Sequence, residues 1–197
     1  MNFELLGEIS LLIKEDKLDE AIVLTEKKLI ECPPTAFNKL LGKNLLHETD
    51  RLVEYFSHFY NKVKDNLQIN AMYAEMNGFT INYDLWFLHL FAYDKVGDTD
   101  DTDWLADWEE ENSTKEIFPI TGFEELQMVY KDYMENQKYN DDKMESASDV
   151  AEFLIVLRFQ ELIRAVKLEG KKRNLSYSSC PVFATAHDYY DMILRLG

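Results

Sequence analysis

The chain has 197 residues, of which 46% are apolar and 29% charged, and it carries a formal net charge of −16 at pH 7. A chain of this length buries on the order of 70% of its unfolded surface, so it folds without disulfide or metal staples. The negative charge repels phosphate backbones and anionic membrane surfaces, which argues against nucleic-acid and membrane binding and leaves a basic protein partner, or solubility alone.

Phe3, Leu6, Ile9 and Ile13 fall at helical spacing and predict a helix over 3–14, broken at Asp16–Lys17. A second helix is expected from Leu18 to Ile30, with Asp16 as its N-cap and Asp19 and Glu20 adding charge to the first turn. Cys32-Pro33-Pro34 ends it, because a residue before proline is pushed out of the helical region. With Leu12, Ala21 and Pro33 in place, this pair resembles a tetratricopeptide-type helical hairpin. Thr25 and Lys28 stand at its packing positions and nothing after Pro34 repeats the pattern, so a lone hairpin is expected and no repeat array. Thr35 then caps a longer helical region through Lys64, broken near Gly42 or at 47–50, where Thr49-Asp50 offers a second cap. Its stripe of Tyr55, Phe56, Phe59 and Tyr60 reads as a buried helix face, and His47 and His58 as surface or capping residues.

The period then drops to two. Met72, Ala74 and Met76 alternate with Tyr73, Glu75 and Asn77, and Asn77-Gly78 predicts a type I′ hairpin turn leading into a strand through Phe79, Ile81 and Tyr83. The run from Leu85 to Tyr93 is apolar and aromatic throughout. It suits a strand covered on both faces, either separate from the previous one or its continuation around a bend, with His89 as a core histidine. Gly97 to Asp103 holds Asp98, Asp100, Asp101 and Asp103. Asp98, Asp100, Thr102 and Glu109 match part of a calcium loop, but Asp103 occupies the position that needs Gly for the sharp turn. An exposed acidic loop is expected and no metal. Asp103 is the expected cap of a helical turn carrying Trp104 and Trp108, whose spacing of four places them on one face. They either close the edge of the core or present a recognition anchor.

Ile117 to Ile120 reads as an edge strand, since Pro119 has no N–H to donate. An amphipathic helix follows from Phe123 to Asn136, and Gln137 to Ser148 reads as a mobile polar loop. Ser148 or Asp149 caps a helix from Val150 to Glu169, buried in its first half and with a wet stripe of Arg158, Glu161, Arg164 and Lys167 in its second. Gly170 is the expected C′ residue. Val182–Ala186 and Met192–Leu194 read as strands. The sum is an α+β fold: an N-terminal helical hairpin and a long helix packed with a small, mostly antiparallel sheet and two further helices. One domain is expected over 1–197, with a helical part over 1–66 and a mixed part over 67–197, because 62–70 lacks linker composition.

Candidate chemistry is sparse. Cys32 and Cys180 lie far apart in no metal-binding or redox spacing and read as free thiols. The N-terminus lacks a basic segment and a cleavage site, and no apolar run approaches the ~18 residues of a membrane span, so a cytoplasmic location is expected. Cys180 with His187 offers a nucleophile and a base, but seven residues of strand would hold them more than ~20 Å apart. His187-Asp188, with or without His89, offers an acid or base, though no nucleophile completes it. There is no glycine-rich phosphate loop and no HExxH motif, so no cofactor is expected.

Tyr83–Asp94, DWLADW at 103–108, FPITGFEELQ at 118–127 and ATAHDY at 184–189 together resemble a group of small acidic bacterial proteins. The likeness covers about 70–195 and implies no activity. In size and acidity the chain is also similar to immunity proteins of bacterial toxin systems. The functional expectation is therefore a cytoplasmic interaction module that presents Asp98, Asp100, Asp101, Asp103, Trp104 and Trp108 to a basic partner such as a toxin. The alternative is an enzyme that uses His187 and Asp188.

Overall fold

A computed structural model describes residues 2–197 and has an α+β fold. Helices α1 (Phe3–Lys14) and α2 (Leu18–Glu31) form the N-terminal hairpin. Asn2 caps α1 through its side chain, which accepts from the Leu5 N–H at 3.1 Å. Asp16 does not cap α2. It takes a left-handed φ of 59° and closes α1, with the Lys17 N–H reaching back to the Leu12 carbonyl at 2.8 Å. Thr25 fits its buried packing position by donating its hydroxyl to the Ala21 carbonyl of its own helix at 2.7 Å.

After Pro34 the expected long helix is in pieces. Thr35 caps a 3-10 turn over Ala36–Leu40 in a reciprocal box with Asn38, and Gly42 takes a φ of 72°. A second 3-10 turn over Leu46–Glu48 leads into α3 (Thr49–Val63). Phe56 and Phe59 are buried on α3, with Tyr55 and Tyr60 partly buried beside them.

Strands β1 (Ala71–Met76), β2 (Phe87–Tyr93), β3 (Phe118–Pro119), β4 (Val182–Ala186) and β5 (Leu194–Leu196) form one sheet in the order β3-β2-β1-β4-β5. Only β1 and β4 run parallel; the other pairs are antiparallel. β1 and β2 do form a hairpin, but not through a type I′ turn, because Gly78 is not at positive φ. The segment 77–86 is a wide loop pinned by Asn77, whose side-chain amide donates to Leu85 O at 3.2 Å while its Oδ1 accepts from the Phe87 N–H at 2.9 Å. Phe79 and Trp86 turn inward within it. Their rings meet at 5.4 Å and both contact Tyr130 of α4 (Glu124–Glu135). Burial of two large aromatics outweighs the local turn preference, so the strand expected through Phe79 and Tyr83 does not form.

Helix α5 runs from Asp142 to Lys172, 31 residues. Its cap is Asp141, which accepts from the Lys143 and Met144 N–H groups, so the loop expected over 137–148 is a 3-10 turn (Lys138–Asn140) and the first turns of α5. Ala147 and Ser148 are already buried there. The wet stripe is also corrected. Arg158 is buried between Glu26 of α2 at 2.7 Å and Glu161 at 2.8 Å, and Lys167 is buried with its ammonium on the Cys180 carbonyl. Gly170 lies inside the helix; the left-handed residue that ends it is Asn174, with the Leu175 N–H on Gly170 O at 2.9 Å.

The sheet sorts its residues by face. Met72, Ala74 and Met76 of β1, Leu88, Leu90 and Ala92 of β2, and Val182, Ala184 and Ala186 of β4 join the helices in one buried cluster that extends from Leu5 to Leu196. The other face carries Tyr73, Phe91, Tyr93 and Phe183, packed with Trp104, Leu105 and Ile193 in a second, smaller cluster. Among the described residues no helix is long and apolar enough to cross a membrane.

Candidate functional site

The second face of the sheet receives a loop where the first receives helices. The segment after β2 folds back over it. Trp104 inserts between Tyr93 at 4.9 Å and Phe183 at 5.0 Å, both edge-on, and donates its indole N–H to Asp98 O at 2.9 Å. The Tyr93 hydroxyl donates to Leu105 O at 2.9 Å and fixes the loop from below. Beside this patch a cleft of about 440 Å³ stays open. β1 contributes Tyr73 and Glu75, β2 contributes Phe91, the loop contributes Asp103 and Trp108, and the turn after β4 contributes His187 and Tyr190.

Glu75 lies at the centre. Its Oε1 accepts from the hydroxyls of Tyr73 and Tyr190, each at 3.3 Å, and sits 3.2 Å from His187 Nδ1. No group among the described residues hydrogen-bonds its Oε2. The Glu75 side chain is 19% exposed and that of His187 55%. Burial, followed by the Glu75 charge, raises both phenols, Tyr73 well above its usual range and Tyr190 up to about 12, so both remain protonated donors. His187 extends the β1–β4 ladder by donating its N–H to Met76 O at 2.9 Å, which sets its ring beside Glu75.

The sequence paired His187 with Asp188. The structure pairs it with Glu75. Asp188 is 79% exposed, has a φ of 70°, and approaches His187 Nε2 only to 3.7 Å, beyond hydrogen-bond range. Glu75 is invisible as a partner in the sequence because it stands 112 residues away and meets His187 only through the parallel β1–β4 pairing. His89 lies directly across β1–β2 from Glu75, but its Nδ1 contacts the Thr114 hydroxyl at 3.2 Å. Cys180 and His187 flank opposite ends of β4, and burial pushes the Cys180 thiol up to about 11. They form no nucleophile–base pair.

The acidic loop divides its aspartates. Between Asp94 and Glu111 there are nine carboxylates and one cation, Lys95, which pairs with Asp107 at 2.8 Å. Asp98 and Asp101 tie the loop by accepting from the N–H groups of Asp100 and Asp103, each at 3.1 Å, and these backbone bonds hold the Asp98 carboxyl below its usual range. Asp100 pairs with Lys14 of α1 at 2.6 Å and lies outside the cleft. Asp103 lines it. Asp103 does not cap the helical turn: the 3-10 turn spans Asp103–Ala106, with Thr102 at the cap position and no side-chain bond. Trp108 lies beyond the turn, so the two tryptophans do not share a helix face. Trp104 is 9% exposed, whereas Trp108 is 46% exposed, its ring 5.2 Å from that of Phe91.

Among the described residues no three His, Cys, Asp or Glu side chains gather to hold a metal ion. A larger cavity, about 570 Å³, opens between α1, α5 and β5 and is lined by Lys14, Arg164, Lys167, Lys171 and Arg195. The first four are engaged, by Asp100, by Asp19, by Cys180 O and by Gly197 O respectively, and the Arg195 guanidinium lies 5.7 Å from the Phe183 ring centre. Burial lowers Lys167 to about 8. In the cleft around Glu75 a carboxylate oxygen without a protein donor lies together with the exposed Trp108. Comparison with protein-family models, with curated proteins and with solved structures returned no match.

Proposed function

We propose that the chain is a protein-interaction module that binds a basic protein partner over this cleft, in the manner of an immunity protein neutralising a basic bacterial toxin in the cytoplasm. One observation carries the reading: the nine-carboxylate loop that packs over the second sheet face leaves Trp108 exposed beside the Glu75 cleft. Charge of one sign around such a face steers an oppositely charged partner, and a half-exposed tryptophan beside it supplies the desolvated anchor that dominates binding energy. The test is capture from the source cells with the wild-type chain and with an Asp98→Asn/Asp101→Asn/Asp103→Asn variant. Asn keeps the Oδ1 acceptors that tie the loop while removing three charges. A basic protein held by the wild type and lost by the variant is the expected result. Equal capture by both contradicts the reading.

The enzyme alternative draws on one contact, His187 Nδ1 to Glu75 Oε1 at 3.2 Å, since a carboxylate orients an imidazole for proton transfer. In that reading the pair is His187–Glu75, with Asp188 peripheral. A His187→Ala chain that keeps every activity found in a broad substrate screen excludes it.

A further inference from the structure

We infer that the floor of the cleft is a recognition pocket for a single arginine side chain, with Glu75 as its anionic end and Tyr73, Phe91, Trp108 and Tyr190 lining it. The inference rests on the interaction reading of the cleft and names what the partner inserts. Glu75 is a largely buried carboxylate whose two oxygens differ: Oε1 is satisfied by two phenols and His187, and Oε2 by no described group. Oε2 is therefore a free acceptor on the cleft side of a half-enclosed carboxylate, and a cation that enters the cleft can pair with it at short range. The lining decides which cation. Tyr73 and Phe91 are buried and stack on each other, 26° apart with centroids at 5.8 Å, as the floor, and Trp108, 46% exposed, leans over Phe91 at 5.2 Å as the open wall. The exposed indole face attracts a planar, weakly hydrated guanidinium by stacking and cation–π contact. A lysine ammonium is more strongly hydrated and cannot stack. Asp103 at the mouth adds a second negative charge toward which the remaining N–H groups of a guanidinium can turn. At about 440 Å³ the cleft holds an arginine side chain and part of the backbone that carries it.

The experiment titrates the full chain with three capped tripeptides, Gly-Arg-Gly, Gly-Lys-Gly and Gly-citrulline-Gly, and follows amide and indole NMR shifts. The arginine peptide is expected to shift Glu75, the Trp108 indole and Tyr190, the lysine peptide to bind about tenfold more weakly, and the uncharged citrulline peptide to leave the cleft unmoved. Glu75→Gln keeps an oxygen for the two phenols and loses the charge, so it is expected to abolish the arginine response with the overall spectrum unchanged. If Glu75→Gln perturbs the fold, Trp108→Ala serves as the second variant and is expected to weaken arginine binding several-fold. Equal binding of arginine and lysine, binding of citrulline, or an unchanged response in a folded Glu75→Gln chain overturns the proposal. If the triple-Asn variant loses the cellular partner while Glu75→Gln keeps it, the interface stands and the arginine pocket falls. If neither variant loses it, the interaction reading falls, and the peptides alone decide the pocket.

Discussion

Trp104 loses nearly all its surface between Tyr93 and Phe183, and its indole N–H is held by Asp98 O. Trp108, four positions on, lies against one ring and faces solvent. Trp104→Ala is expected to cost about 3–5 kcal/mol in urea unfolding, the range for truncating a buried aromatic. Trp108→Ala is expected to stay within about 1 kcal/mol of the wild type. A comparable loss at both positions contradicts their assignment to core and surface. The sequence showed the two indoles and their spacing, but not that the turn between them is a short 3-10 turn ending at Ala106, which sends the side chains different ways. His187 was legible as a candidate by residue type. Glu75, the residue it contacts, was not, because an acidic residue in an alternating strand reads as a solvated face until the neighbouring strand is known.

Among the elements, α5 departs furthest from its reading. Gly170 resembles a helix terminator, and Lys171–Arg173 strengthens that appearance, yet the helix passes through it. Its function is space: a Cβ at Gly170 would lie 2.5 Å from the Tyr177 hydroxyl, which donates to Val166 O at 3.0 Å. Gly170→Ala gains up to about 1 kcal/mol of helix propensity but displaces that buried ring. A net destabilisation of about 1–3 kcal/mol is expected from overpacking, read by calorimetry as a lower Tm; a raised Tm contradicts the role given to Tyr177. The strand of 71–76 and the helices of the hairpin were legible from apolar period, and the strand of 87–93 from the continuous apolar run over Leu85–Tyr93. The Asn77 loop and the start of α5 were not. In both, tertiary burial, of Phe79 and Trp86 in one and of Ala147 and Ser148 in the other, overrides the local signal.

At the scale of the molecule, one face of the sheet is sealed by helices and the other is left to a loop. The α+β class followed from the change of period along the chain, whereas the parallel β1–β4 pairing that brings Glu75 to His187 has no local signature. Charge is distributed to match. Most cations around the larger cavity are engaged within the fold, while the loop over 94–111 holds its negative excess beside the Glu75 cleft. Phe3, Leu11, Val23 and Ile30 are also exposed, so the N-terminal hairpin is the competing surface for a partner. Amide hydrogen exchange of the chain alone and in complex with the captured basic partner separates the two. Protection confined to 73–76, 88–92, 102–110 and 185–190 is the result that placing the interface on the cleft predicts. Protection on α1 and α2, with those four segments unchanged, would contradict it.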